Sequence, residues 1–119
     1  MASGILYTGN LALANQPYTT YMAPSTTYTV CNVSLTNVSA ASVTVRLYIG
    51  ASLGTQGSPT GSLVASEAIE YDTVIPAKGV FERTGLVLNG TTSSKYITCQ
   101  ASTAAAVNVN IYGIETSTV

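Results

Sequence analysis

The stretch TYTVCNVSLTN at residues 27–37 sets Thr29, Cys31, Val33 and Leu35 on alternate positions. A two-residue period is the signature of a pleated strand with one dry face and one wet face. The same period returns in ASVTVRLYIG (41–50), where Val43, Val45, Leu47 and Ile49 oppose Ser42, Thr44, Arg46 and Tyr48. It returns again near the end, where Val107, Val109 and Ile111 alternate with Asn108, Asn110 and Tyr112. A chain written in this period cannot bury its apolar side as a helix. It must stack sheet on sheet.

Further strands follow from the same pattern. Residues 5–14 read as a first strand with a potential break at Gly9-Asn10, and PYTTYMAP (17–24) as a short Tyr-rich strand closed by Pro24. In LVASEAIEYDTVI (63–75) a helix competes, but Ile69, Tyr71, Thr73 and Ile75 alternate cleanly, which selects a strand. PAKG (76–79) is a turn tetrad, VFERTGLVL (80–88) the next strand, and Asn89-Gly90 a hairpin-type turn. KYITCQAS (95–102) and residues 107–115 complete the set. The NVSAA link between the strands at 27–37 and 41–50 is short enough for a hairpin. The expected fold is all-β: a single β-sandwich, jelly-roll or Ig-like, of about eight antiparallel strands. Residues 1–16 form an N-terminal arm or first strand, and residues 17–119 the sandwich domain.

Composition narrows the classes of function. Apolar residues make up 46% of the 119 and charged residues only 8%, about a third of the usual ~25%. Arg46, Lys78, Arg83 and Lys95 stand against Glu67, Glu70, Asp72, Glu82 and Glu115 for a formal charge of −1. With no basic stripe, nucleic-acid binding lacks its main electrostatic contribution. No stretch approaches the roughly 20 apolar residues of a membrane span. The N-terminal segment has no basic region ahead of its apolar run and is not read as a signal peptide. The N-x-S/T triplets at Asn32, Asn37 and Asn89 are then incidental in a Ser/Thr-rich chain.

Chemistry is scarce. Without histidine, neither a Ser-His-Asp nor a Cys-His arrangement can be assembled. Cys31 and Cys99 share parity with apolar neighbours and point inward; they read as buried reduced thiols, with a disulfide between two sheets as the alternative. With no Cys-x-x-Cys pattern, no metal or other cofactor is expected. The glycines of GASLGTQGSPTGS (50–62) lack the Lys-Ser/Thr of a phosphate loop, so the segment reads as a surface loop. Glu70 and Asp72, two apart on one strand face with Cα atoms about 6.5–7 Å apart, are the single carboxylate pair that could bind Ca²⁺ or flank a glycosidic bond. They read as a solvated face guarding an edge strand. Glu67 points elsewhere and completes no triad.

The wet faces carry Asn, Thr, Ser and Tyr instead. These groups hydrogen-bond well but do not shuttle protons near neutral pH. Tyr18, Tyr21, Tyr48, Asn108, Asn110 and Tyr112 are the candidate contact residues, since a Tyr ring is apolar and its hydroxyl wet.

Several segments resemble small virion structural proteins of tailed bacteriophages. They are the Tyr-x-Ala-Pro turn at 21–24, the Cys31-Asn32 pair, VRLYIG, YDTVIPAKGVFERTGLVLNG, YITCQAS and the terminal VNVNIYGIE. The resemblance covers about residues 18–115 and carries no catalytic motif. The loop at 50–62 and NGTTSSK fall outside it most clearly. It implies a non-enzymatic β-sandwich made in the bacterial host cytoplasm and built into the virion, on the exterior of tail or capsid. Expected partners are other virion structural proteins and symmetry-related copies of the chain itself. A carbohydrate- or receptor-binding module at a fibre or baseplate tip is the alternative.

Overall fold

The computed structural model describes residues 3–50, 65–91 and 95–117. Eight strands are present among them: β1 (Ser3–Asn10), β2 (Tyr18–Met22), β3 (Thr27–Asn37), β4 (Val43–Gly50), β5 (Ala68–Ile75), β6 (Val80–Asn89), β7 (Tyr96–Ala101) and β8 (Val107–Ser117). They form two four-stranded sheets, β1-β8-β3-β6 (sheet 1) and β2-β7-β4-β5 (sheet 2). Every pairing is antiparallel. The pairs β1–β8, β2–β7, β3–β6 and β4–β5 are nested, as if one long hairpin had been rolled up and joined to itself through β8–β3 and β7–β4. That is the jelly-roll order, and it decides between the two sandwich types the periodicity left open.

The inward parities build the core. Leu11, Val33, Leu35, Val107, Val109 and Ile111 from the side of sheet 1 meet Val43, Val45, Leu47, Ile75, Ile97 and Ala101 of sheet 2. Cys31 and Cys99 are both buried and both free. Residues 3–10 belong to the sandwich as an edge strand, and Leu11 directly after them is buried in the core. A truncation through this segment therefore removes core packing as well as an edge.

The turn signals lie where expected, but two of them join different partners. The NVSAA link and Asn89-Gly90 each carry the chain from sheet 1 to sheet 2, not between neighbours in a hairpin. Turn chemistry fixes a reversal and not which sheet the next strand joins. Asn37 shows what holds the first of these arches. Its fully buried amide donates to the carbonyls of Ala41 (2.8 Å), Ile75 (3.1 Å) and Pro76 (3.1 Å). Its Oδ1 accepts from the backbone N–H and the hydroxyl of Ser39. One side chain thus clips the β3–β4 link to the β5–β6 turn.

The helical alternative at 63–75 survives as a single 3₁₀ turn, Ala65–Glu67, before β5. Residues 51–62 of the Gly-rich loop, and 92–94 of NGTTSSK, lie outside the described residues.

All four edge strands meet their neighbours across a register shift. The shifts fall at Ile5/Tyr7 in β1, at Thr19/Tyr21 in β2, opposite Cys31/Val33 in β6, and at two places in β5. A bulge bends an edge and spoils it as a template for a further strand.

A candidate interaction surface on sheet 1

The outward parity of sheet 1 can be read row by row from its register. Asn108, Asn110, Tyr112 and Ile114 of β8 stand beside Thr36, Ser34, Asn32 and Val30 of β3. Farther out on β3's other flank, Val80, Glu82 and Val87 of β6 pair with Thr36, Ser34 and Val30. On β8's far flank, Asn10, Thr8, Ile5 and Ser3 of β1 pair with Asn108, Asn110, Tyr112 and Ile114. The result is a four-strand face with two zones.

One zone is polar, with Glu82 as its single charge. Asn10 donates from Nδ2 to Asn108 Oδ1 at 2.7 Å, which holds the Asn108 carbonyl in place. The Tyr112 hydroxyl donates to Glu82 across the sheet. That hydrogen bond pushes the Tyr112 hydroxyl above its ordinary pKa of 10.0, because ionising it would face the carboxylate without a proton between them. Glu82 is the one formally charged group among the described residues of this face. The other zone is apolar: Ile5, Tyr28, Val30, Val87 and Ile114 are all exposed, Ile5 and Val87 at 64% and 62%. Cross-strand pairing makes Ile114, Val30 and Val87 a continuous row. Contiguous exposed apolar side chains rimmed by polar ones mark contact sites.

The structure brings Asn108, Asn110 and Tyr112 together on this face and sends the other three candidates elsewhere. Tyr21 points between the sheets, its hydroxyl bonded to Thr29 (2.9 Å) and Glu115 of sheet 1. Burial, then the Glu115 bond, raises its pKa. Tyr18 packs against the core together with Tyr7, so this pair also closes the β1/β2 side of the sandwich. Tyr48 is a correction. It keeps the outward parity of β4, yet it is only 5% exposed. Its cross-strand partner Thr98 is 1% exposed, and Arg46 on the same strand stacks 4.0 Å from the Tyr71 ring. Parity predicts direction, not what else lies on that face.

The carboxylate pair is also taken apart. The two register shifts in β5 insert extra residues between its pairings with β4, and Asp72 sits at φ 56°. Asp72 receives Arg46 at 2.7 and 3.3 Å, and this hydrogen-bonded guanidinium holds its carboxyl below the usual carboxylate value. Glu70 instead accepts from Thr73 (2.8 Å) and pairs with Arg83 of β6, linking the edges of the two sheets. Each acid faces its own arginine, so the two do not converge on a common point. Among the described residues no three Cys, Asp or Glu side chains gather at metal-binding distance.

The residues missed at the level of sequence were the apolar ones. Tyr28, Val30 and Ile114 share the parity of Asn32, Ser34 and Tyr112, so large apolar groups on an otherwise wet parity were the available signal. No protein-family model matches the chain, and no curated protein matches it in sequence.

Proposed function

We propose that this chain is a non-enzymatic structural subunit of a tailed-phage virion, packed on the exterior of the tail or capsid. The observation that carries the reading is the outer face of sheet 1: open, nearly free of charge, and furnished with Asn108, Asn110, Tyr112 and an apolar row. Such a face binds by shape, apolar area and neutral hydrogen bonds, the ordinary composition of a subunit contact. Pairing of the acids with arginines, and the resemblance over residues 18–115, support the same reading. Jelly rolls also serve in viral capsids, although fold alone assigns no function.

A second reading is a carbohydrate-binding module, since jelly rolls include lectins and exposed Tyr and Asn recognise sugars. The two readings part on two measurements. Mass spectrometry of purified heads and tails is expected to find the wild-type chain at a fixed copy number. Asn110→Lys with Tyr112→Ala is expected to lower that occupancy at least about tenfold, the loss of roughly 1.4 kcal/mol or more. Wild-type chain missing from particles would defeat the structural reading. Selective glycan binding by the pure protein, abolished by Tyr112→Ala, would favour the second.

A further inference from the structure

We infer that the outer face of sheet 1 is a two-fold interface between two copies of this chain. The inference rests on the subunit reading above for its choice of face and goes further by naming the occupant.

The edges are unsuited to strand addition, because all four carry register shifts. The outer face of sheet 2 already buries Tyr48 and Thr98 and holds the Arg46–Asp72 pair. Sheet 1 carries the larger exposed apolar set, Ile5, Tyr28, Val30, Val80, Val87 and Ile114, against Met22, Tyr71 and Val74 of sheet 2. β3 and β8 each run 11 residues. β1 and β6 beside them run 8 and 10 residues. At about 3.3 Å per residue and about 4.8 Å between strands, the sheet offers a footprint of about 630 Å². A standard interface takes about 600–1,000 Å² from each partner, so a second copy laid across this sheet falls at the lower end of that range.

The pattern is self-complementary about one axis. A two-fold lying in the contact plane, parallel to the strands and midway between β8 and β3, keeps every row at its own level and exchanges β8 with β3 and β1 with β6. Ile114 then meets Val30 of the second copy, and Val87 meets the β1 end near Ser3 and Ile5. Asn110 faces Ser34, Asn108 faces Thr36, and Tyr112 faces Asn32, each an amide or hydroxyl that both donates and accepts. Glu82 lands opposite Thr8, so the two copies of the one carboxylate sit on opposite margins and do not meet. A strongly charged partner finds a single carboxylate, Glu82, to pair with here. Sheets packed this way stay within about 30° of alignment and about 10 Å apart.

Sedimentation equilibrium of the full chain tests this directly. A dimer is expected, with a dissociation constant raised at least about 100-fold by Val30→Lys, since a buried unpaired ammonium replaces an apolar contact. Asn110→Lys, at a position already solvated in the single chain, should act in the same direction. Val74→Lys, exposed on β5 of sheet 2, should leave association unchanged, and circular dichroism should be the same for all four proteins. A chain that is monomeric at millimolar concentration, or a dimer indifferent to both sheet 1 variants, overturns the inference. A monomer that still enters particles overturns it while leaving the virion reading intact. A dimer with this sensitivity that never enters particles does the reverse.

Discussion

Asn37 ties the β3–β4 link to the β5–β6 turn with a single side chain. It is fully buried, and it satisfies carbonyls from two separate connections with one amide. Among the described residues no buried side-chain nitrogen or oxygen lacks a partner. Removing this one takes a donor from the buried Ile75 carbonyl and the acceptor from the Ser39 N–H. The Ala41 and Pro76 carbonyls keep the Ser39 hydroxyl and the Gly79 N–H. Asn37→Ala is expected to cost about 2–4 kcal/mol, because each buried group left unpaired bears its desolvation penalty. The check is the urea midpoint at constant m; a loss under about 0.5 kcal/mol would show that water replaces the amide freely. In the sequence Asn37 was legible only as the end of a strand and as part of an N-x-S triplet. Its role needs Ile75 and Pro76, which lie 38 and 39 positions away. The thiols were more legible. Their inward parity followed from Ile97, Val33 and Leu35, and both are buried and free.

At the scale of elements, the β3–β8 pairing is the centre of sheet 1, and Gly113 shows how closely those strands approach. A Cβ built there would lie 2.1 Å from the Val30 carbonyl oxygen and 2.6 Å from Cys31 Cα, both backbone atoms. Gly113→Ala therefore has to push β8 off β3 and is expected to destabilise by about 1–3 kcal/mol. Differential scanning calorimetry reads this as a lowered Tm; an unchanged Tm would mean the strands have slack that the packing denies. The strands themselves were the most legible feature, and β3 covers the whole of 27–37 as its alternation predicts. Their bulges were not. The register shifts in β5 that part Glu70 from Asp72 depend on how β4 pairs with it, and nothing local to YDTVI announces them.

At the scale of the molecule, the sandwich keeps several protonated groups between its sheets. Burial pushes the Cys31 thiol up to about 11 and the Cys99 thiol up to about 12, from an ordinary 9.0. Tyr7 and Tyr21, between the sheets at the β1/β2 side, are raised from 10.0 in the same direction, chiefly by burial. A raised folded pKa means the unfolded chain ionises first. The associated stability is whole below pH 9 and is lost as pH rises toward 11–12, by about 1.4 kcal/mol per pH unit for each thiol. Urea melts at pH 8 and pH 10.5 are expected to show a marked fall in midpoint, reduced when both cysteines are replaced by valine. Equal midpoints at the two pH values would contradict thiols held neutral by burial.

The amino-acid order alone determined that this chain is built of strands, where most of them begin and end, which side of each is dry, and that its exterior is nearly uncharged. Those are properties of neighbouring residues, and a period of two is printed locally by the pleat itself. The tertiary structure decided the jelly-roll order, the use of Asn37 as a clip, the burial of Tyr48, the separation of Glu70 from Asp72, and the apolar row on sheet 1. Each of these depends on which distant strand lies alongside. The β1–β8 pairing joins Ser3 to Ile114, and what settles such a partnership is the burial of both sheets' dry faces together, a quantity no short stretch of sequence contains.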